Sequence, residues 1–159
     1  MKALIRQLTE PEYALLPDFL YEAIFLPEGA VPPPRSIVTQ DELRVYYENF
    51  GQSPHDRALG AEINGRIIGI VWTRIMPDYG HIDDETPSFA IALYPEYRGQ
   101  GIGTALMREM LTLLQNAGYA QASLSVQKEN PAARLYRRLG FETVRETDEE
   151  YIMKYQRKK

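Results

Sequence analysis

The apolar positions of the chain change period several times, and each change marks an element. Ala3–Gln7 alternates weakly and predicts a short strand. Thr9 followed by Glu10-Pro11-Glu12 has the form of a helix start, with a hydroxyl cap, an early proline and acids near the positive end of the dipole. That helix is expected to run to about Phe25, kinked or split at Pro17. Pro27 to Ser36, with three consecutive prolines, predicts an extended and stiff loop, and Asp41–Phe50 a second short helix. Period-two patterning then takes over. Arg57–Glu62 and Arg66–Ile75 flank Asn64-Gly65 and predict a hairpin, and Ser88–Tyr94 is a further strand ended by Pro95. Helical spacing returns over Gly101–Ala117, where Ile102, Ala105, Leu106, Met110, Leu113, Leu114 and Ala117 form one apolar face and Gly118 follows as a stop. Gln121–Val126 is predicted as a strand, Pro131–Leu139 as a short helix ending at Gly140, and Phe141–Arg145 with Tyr151–Tyr155 as a last pair of strands.

This order lacks a regular strand–helix–strand alternation. It predicts an α+β fold, a single mixed and mostly antiparallel sheet flanked by helices. At 159 residues, with no repeat, linker or low-complexity stretch, the chain is expected to form one domain over residues 1–159. The hydrophobic fraction is 44% and the charged fraction 25%, which is enough apolar material for a core and argues against disorder. No segment approaches the length of a membrane span or has the form of a secretory leader, so a cytoplasmic protein with no membrane partner is expected. The Arg157-Lys158-Lys159 tail is expected to be a solvated end.

The absence of cysteine removes disulfides, thiolate metal sites and a cysteine nucleophile, and two histidines leave little for a metal site; none is expected. The net charge of −4 argues against a nucleic-acid partner. That charge is uneven: residues 1–95 carry −7 and residues 96–159 carry +3, which suits two ligands of opposite sign.

The most informative segment is Pro95-Glu96-Tyr97-Arg98-Gly99-Gln100-Gly101-Ile102-Gly103-Thr104, set between a strand and a helix. Glycines let the backbone turn tightly and approach a ligand, and the first amides of the next helix lack intrahelical partners, so the segment is a candidate phosphate cradle with Arg98 beside it. It has no lysine for a Walker loop and carries Thr104 where a dinucleotide fingerprint needs its third glycine.

Arg98-x-x-Gly101-x-Gly103, after a strand ending in Tyr94-Pro95, resembles the acetyl-CoA pyrophosphate loop of the GCN5-related N-acetyltransferases (GNATs). Asn130-Pro131-Ala132-Ala133-Arg134-Leu135-Tyr136, followed by Gly140-Phe141, is similar to that family's C-terminal signature. Tyr136 stands six residues after Asn130, where many members have seven, while its spacing to Gly140-Phe141 is kept. The resemblance implies acetyl transfer from acetyl-CoA to an amine of a small molecule or peptide, by direct attack in a ternary complex. It divides the chain into a substrate-side half, 1–87, and a cofactor-side half, 88–159. It implies cofactor contacts from Ile91, Ala92 and Leu93 of a splayed strand, from Arg98, Gly99, Gln100, Gly101, Ile102, Gly103 and Thr104, and from Asn130 and Tyr136. The backbone amide of Leu93 is the implied polarising donor, and Tyr136 the implied proton donor to a leaving thiolate.

The strand Phe89–Leu93 holds no carboxylate, so a general base is sought just upstream, at His81, Asp83, Asp84 or Glu85. Specificity is expected from the front half, where Tyr13, Tyr21, Phe25, Tyr46, Tyr47, Phe50 and Tyr79 mix with acids and suit a cationic amine. A non-catalytic acyl-CoA-binding sensor is the competing reading. A homodimer through the C-terminal strands is compatible with the pattern.

Overall fold

A computed structural model describes residues 2–157; Lys158 and Lys159 of the tail lie outside them. Seven strands form one sheet: β1 (Leu4–Gln7), β2 (Arg57–Ile63), β3 (Arg66–Arg74), β4 (Ser88–Leu93), β5 (Gln121–Gln127), β6 (Glu142–Glu146) and β7 (Glu150–Gln156). Their order across the sheet is β1-β2-β3-β4-β5-β7-β6. Only β4 and β5 run parallel; all other neighbours are antiparallel, as the sequence pattern predicts. The β2–β3 turn has Asn64 and Gly65 at φ 54° and 80°, the double left-handed conformation that a two-residue hairpin needs.

Helices cover both faces. On one lie α3 (Ile102–Asn116) and α4 (Ala132–Leu139), on the other α1 (Leu16–Ala23) and the single-turn α2 (Asp41–Arg44). The α3 face encloses Phe89, Leu106, Met107, Met110, Leu124, Tyr136, Phe141 and Met153. The α1 face encloses Leu16, Phe19, Tyr46, Ile70, Trp72, Ala90 and Ala92. β3 is buried from Ile67 to Arg74, as its unbroken apolar run requires of a strand covered on both sides.

The first helix is split at Pro17 as expected: Glu10–Leu15 is a 3-10 turn and α1 begins at Leu16, because Pro17 lacks an amide proton and is tolerated only in a first turn. One helix expectation, for the second helix, is corrected. The second stops at Arg44 rather than Phe50, and Asn49 (φ 56°) and Gly51 (φ 98°) turn the chain back. Arg74 holds this irregular stretch. Its Nη1 donates to the carbonyls of Val45 and Glu48 at 3.1 and 2.9 Å, and Nε and Nη2 each reach the Asp56 carboxylate at 3.1 Å.

At the N-terminus Arg6 lies between Glu12 and Glu62, at 2.8 and 2.9 Å. Hydrogen bonds from Arg6, and then from the Thr9 amide, hold the Glu12 carboxyl down to about 2. A depressed carboxyl contributes stability above its ordinary value and loses it as pH falls through the folded value. Glu12→Gln is therefore expected to lower the urea midpoint at pH 7, with the difference from the parent chain shrinking below pH 4.5 and vanishing near pH 2. A difference independent of pH would refute the ion-pair account.

Candidate active site

β4 and β5 are joined by one register pair, Ser88 with Ser123, next to a hydrogen bond from the Ser123 amide to the Pro87 carbonyl at 2.9 Å. Beyond that pair the strands part. On β4's other side the Tyr94 amide donates to Ile68 of β3 at 3.0 Å. Backbone groups alternate in direction along a strand, so those of Ala90 and Ala92 also face β3, while those of Ile91 and Leu93 face the gap left by β5. The sheet thus presents a short unpaired edge in its middle, suited to an extended ligand carrying amides. The carbonyl of Leu93 is partly used, accepting from Arg98 Nε at 3.1 Å; its amide points into the gap.

The same strand feeds the glycine segment. Pro95–Tyr97 forms a 3-10 turn, and Gly101 precedes α3 with φ 85° and no side-chain cap. The amides of Ile102, Gly103 and Thr104 are thereby left at the positive end of a fifteen-residue helix. Gly99 also has positive φ, 75°, and a Cβ at either glycine would meet nothing within 4 Å. The need for glycine at both is conformational, and the space above the amides is open. Gly103 serves differently: a Cβ there would lie 3.3 Å from Leu93, so its absence lets α3 sit close to β4.

Arg98 is not poised above this cradle. Half exposed, it turns back, with Nη2 donating to the Glu22 carbonyl at 3.0 Å and lying 3.5 Å from the Glu22 carboxylate. The positive character of the loop therefore comes from backbone amides, and Arg98 ties the end of β4 to α1. Gln100 likewise folds onto its own segment, donating to the Glu96 carbonyl at 3.1 Å. Asn130 accepts the Ala132 amide at 2.9 Å through its side-chain oxygen, which makes it the start signal of α4.

Tyr136 lies on the buried face of α4 in the same apolar cluster that receives Ile91 and Leu93, with its ring 6.1 Å from that of Phe141. It is 8% exposed, and burial alone pushes its phenol up to about 12. The group therefore holds its proton throughout the neutral range.

Of the upstream candidates for a base, His81 keeps a buried Nδ1 with no partner among the described residues, and the three carboxylates lie elsewhere. Asp83 accepts the Glu85 amide and the Thr86 hydroxyl, which stabilise its charge and hold its pKa low, so it braces a turn. Asp84 is almost fully exposed and lies 3.5 Å from His81, and Glu85 is exposed. Apart from Asp56, which is held by Arg74, a more buried carboxylate in this region is Asp78. Asp78 accepts from Ser88 Oγ at 3.0 Å, and burial raises its pKa. Burial and the neighbouring Glu149 raise the pKa of the partly buried Glu150. Of the front-half aromatics, Tyr21 and Tyr47 donate to backbone carbonyls and Tyr13 packs on Phe50, so these brace the fold. Burial raises the pKa of the Tyr46 and Tyr79 phenols, and nearby acids add to the rise. The one signal for Asp78 in the sequence was its place in the loop before β4.

Among the described residues no group of three or more potential metal ligands occurs, and no helix is long and apolar enough to cross a membrane.

The family model for the acetyltransferase (GNAT) family matches residues 21–141, which includes the parted strands, the glycine cradle and α4. The chain belongs to this family. Among its relatives, the mycothiol acetyltransferase of Pseudarthrobacter chlorophenolicus is 31% identical over 110 residues, 69% of this chain and 34% of that protein. The mycothiol acetyltransferase of Saccharomonospora viridis is 36% identical over 97 residues, 58% of this chain and 31% of that protein. This GNAT chain thus spans about a third of the length of the curated relatives it matches. Among solved structures, the PaiA N-acetyltransferase of Thermoplasma acidophilum in complex with coenzyme A superposes with a TM-score of 0.72 at 21% identity, covering 99% of this chain and 100% of that one. The ribosomal-protein-S18-alanine N-acetyltransferase of Escherichia coli gives 0.66 at 22% identity, covering 97% and 93%. These two likenesses show that the whole described chain has the GNAT fold.

Proposed function

We propose that this protein transfers an acetyl group from acetyl-CoA to an amine of a small molecule or peptide, by direct attack with both substrates bound. The observation that carries the reading is one juxtaposition: an uncapped helix N-terminus behind two left-handed glycines, continuous with a strand edge whose backbone groups face a gap. A phosphate-bearing ligand with an extended amide-containing arm fits both parts at once, and coenzyme A is such a ligand. Acetyl-CoA supplies the activated acetyl thioester.

The chain's own residues do the rest. The amides of Gly99 to Thr104 receive the pyrophosphate, with Ile102, Gly103 and Thr104 contributing the helix end. The Ile91 and Leu93 backbone groups hold the arm in register beside β4, with Ala92 fixing that strand to β3, and the Leu93 amide is placed to polarise a carbonyl lying along the same edge. Arg98, Gln100 and Asn130 shape the segments that carry these groups. Tyr136 offers a hydroxyl that stays protonated, and we assign it the proton donation to a departing sulfur. A buried phenolate is unfavourable, so the donation must be coupled to the proton shed by the nitrogen under acylation.

Tyr136→Phe is expected to lower kcat about ten-fold or more while moving the acetyl-CoA Kd by less than about three-fold, since only the hydroxyl is removed. Steady-state release of free CoA, with acetyl-CoA binding followed by calorimetry, checks both. An unchanged kcat at saturating substrates would remove Tyr136 from this role.

A further inference from the structure

One carboxylate joins the glycine segment to the proline-rich stretch of the front half. Glu22 is the last residue but one of α1, and its side chain is 16% exposed. Each of its oxygens faces a different guanidinium: Oε1 lies 3.5 Å from Arg98 Nη2, and Oε2 lies 3.8 Å from Arg35 Nη2. No other carboxylate pairs with either arginine among the described residues. Two positive charges thus share one negative charge, and both distances exceed those of a hydrogen-bonded ion pair.

The two arginines serve different parts of the chain. Arg98 stands directly before Gly99. Its Nε donates to the Leu93 carbonyl at 3.1 Å and its Nη2 to the Glu22 carbonyl at 3.0 Å, while Nη1 has no hydrogen-bond partner among the described residues. Arg35 stands at the far end of the proline-rich stretch. Its guanidinium lies 4.7 Å from the centre of the Tyr21 ring, and the Tyr21 hydroxyl donates to the Pro33 carbonyl at 2.6 Å. Residues 30–34 have no regular structure, Pro34 is extended (φ −63°, ψ 151°) and Val31 is 86% exposed. A segment that buries so little is held by the few contacts at its end, so Tyr21 and Glu22 decide how firmly it lies on α1.

We propose that Glu22 is a positioning residue that couples the cradle to residues 27–36. Phosphate charge arriving at Gly99–Thr104 draws the Arg98 guanidinium from Glu22, and the freed carboxylate pairs with Arg35 and fastens the proline-rich segment to α1. The proposal rests on the acyl-transfer reading above. No covalent bond changes; the two states differ in which guanidinium holds Glu22. A ligand shifts such an equilibrium only through contacts that differ between the states, and here the difference is the attraction between Arg98 and the phosphates. The coupling is reciprocal, so whatever fastens Arg35 to Glu22 also raises the affinity for the cofactor. Arg98 is half exposed and Arg35 more so, and their pairs with Glu22 are therefore weak and screened by salt, which sets the coupling at a few-fold.

Trypsin reads the second state directly, because residues 35 and 36 are exposed and cleavage between them needs the Arg35 side chain free. The full chain is digested with and without saturating coenzyme A at about 0.05 M salt, where screening is weak, and the fragments are followed by mass spectrometry. Coenzyme A is expected to slow cutting after Arg35 about five-fold more than cutting after Arg44, an exposed site outside the junction. Glu22→Gln keeps the size of the side chain and removes its charge. In that chain the extra slowing should vanish, and coenzyme A should bind about three-fold tighter by calorimetry, since Arg98 no longer leaves a counter-charge. Glu22→Asp keeps the charge and should bring back part of the protection. Equal slowing at Arg35 and Arg44, or extra slowing that survives in Glu22→Gln, overturns the proposal. Weaker coenzyme A binding by Glu22→Gln also overturns it, by marking Glu22 as merely structural. A chain that binds no coenzyme A overturns the acyl-transfer reading; Glu22-dependent protection of Arg35 by inorganic pyrophosphate would then leave the junction standing, and its absence would overturn both.

Discussion

A valine at Gly101 is expected to raise the Kd for coenzyme A by a factor of about 100. Gly101 sits at φ 85° directly before the free amides of α3, and a Cβ there would meet no protein atom within 4 Å. The substitution therefore acts in two ways that separate cleanly. Forcing a β-branched residue into the left-handed region costs about 1–3 kcal/mol of stability, a modest fall in Tm. The added methyls also fill the open space above the cradle and deny a phosphate close approach to the amides. Each hydrogen bond to a charged group contributes about 1.5–3 kcal/mol, so losing two removes at least about 3 kcal/mol, or two powers of ten. Calorimetric titration with coenzyme A below the variant's Tm measures this. A Kd within about three-fold of the parent's would place the pyrophosphate elsewhere, and the functional reading would lose its main support.

Asp56→Ala should be the most damaging single change to stability, at about 3–5 kcal/mol. Asp56 is 1% exposed and receives both Nε and Nη2 of Arg74, along with the Gly51 amide at 2.9 Å. Removing the carboxylate leaves a guanidinium buried without a counter-charge, which costs more than the pair itself contributes. Against a typical total of about 5–15 kcal/mol, such a loss is severe. It also loosens residues 45–56, which Arg74 holds through the Val45 and Glu48 carbonyls. Urea denaturation of Asp56→Ala and of the double variant Asp56→Leu with Arg74→Met tests the argument. The double variant should be closer to the parent, because it removes both charges. A single variant losing less than about 1 kcal/mol would show that water reaches Arg74 freely.

The segment matched by the family model, residues 21–141, contains Gly101, the Asp56–Arg74 pair and Tyr136.

The sequence by itself determined the element order, the hairpin at Asn64-Gly65, the strand–glycine–helix unit and the helix that carries Tyr136. These are local matters: side-chain period, glycine at positive φ and proline without a donor act over a few residues, and any chain with this pattern meets the same constraints. Helix length was legible only in part, since the stretch after Arg44 has helical spacing yet is bent back by contacts from Arg74, thirty residues away. Tertiary structure alone decided three further things. It turned Arg98 from the cradle onto Glu22, because a long flexible cation goes to the carboxylate and carbonyls that packing brings near. It parted β4 from β5 after one residue pair, which no local pattern encodes. And it laid the loop before β4 so that Ser88 donates to Asp78 at 3.0 Å, since groups distant in sequence meet only where strands are paired and loops are laid across them.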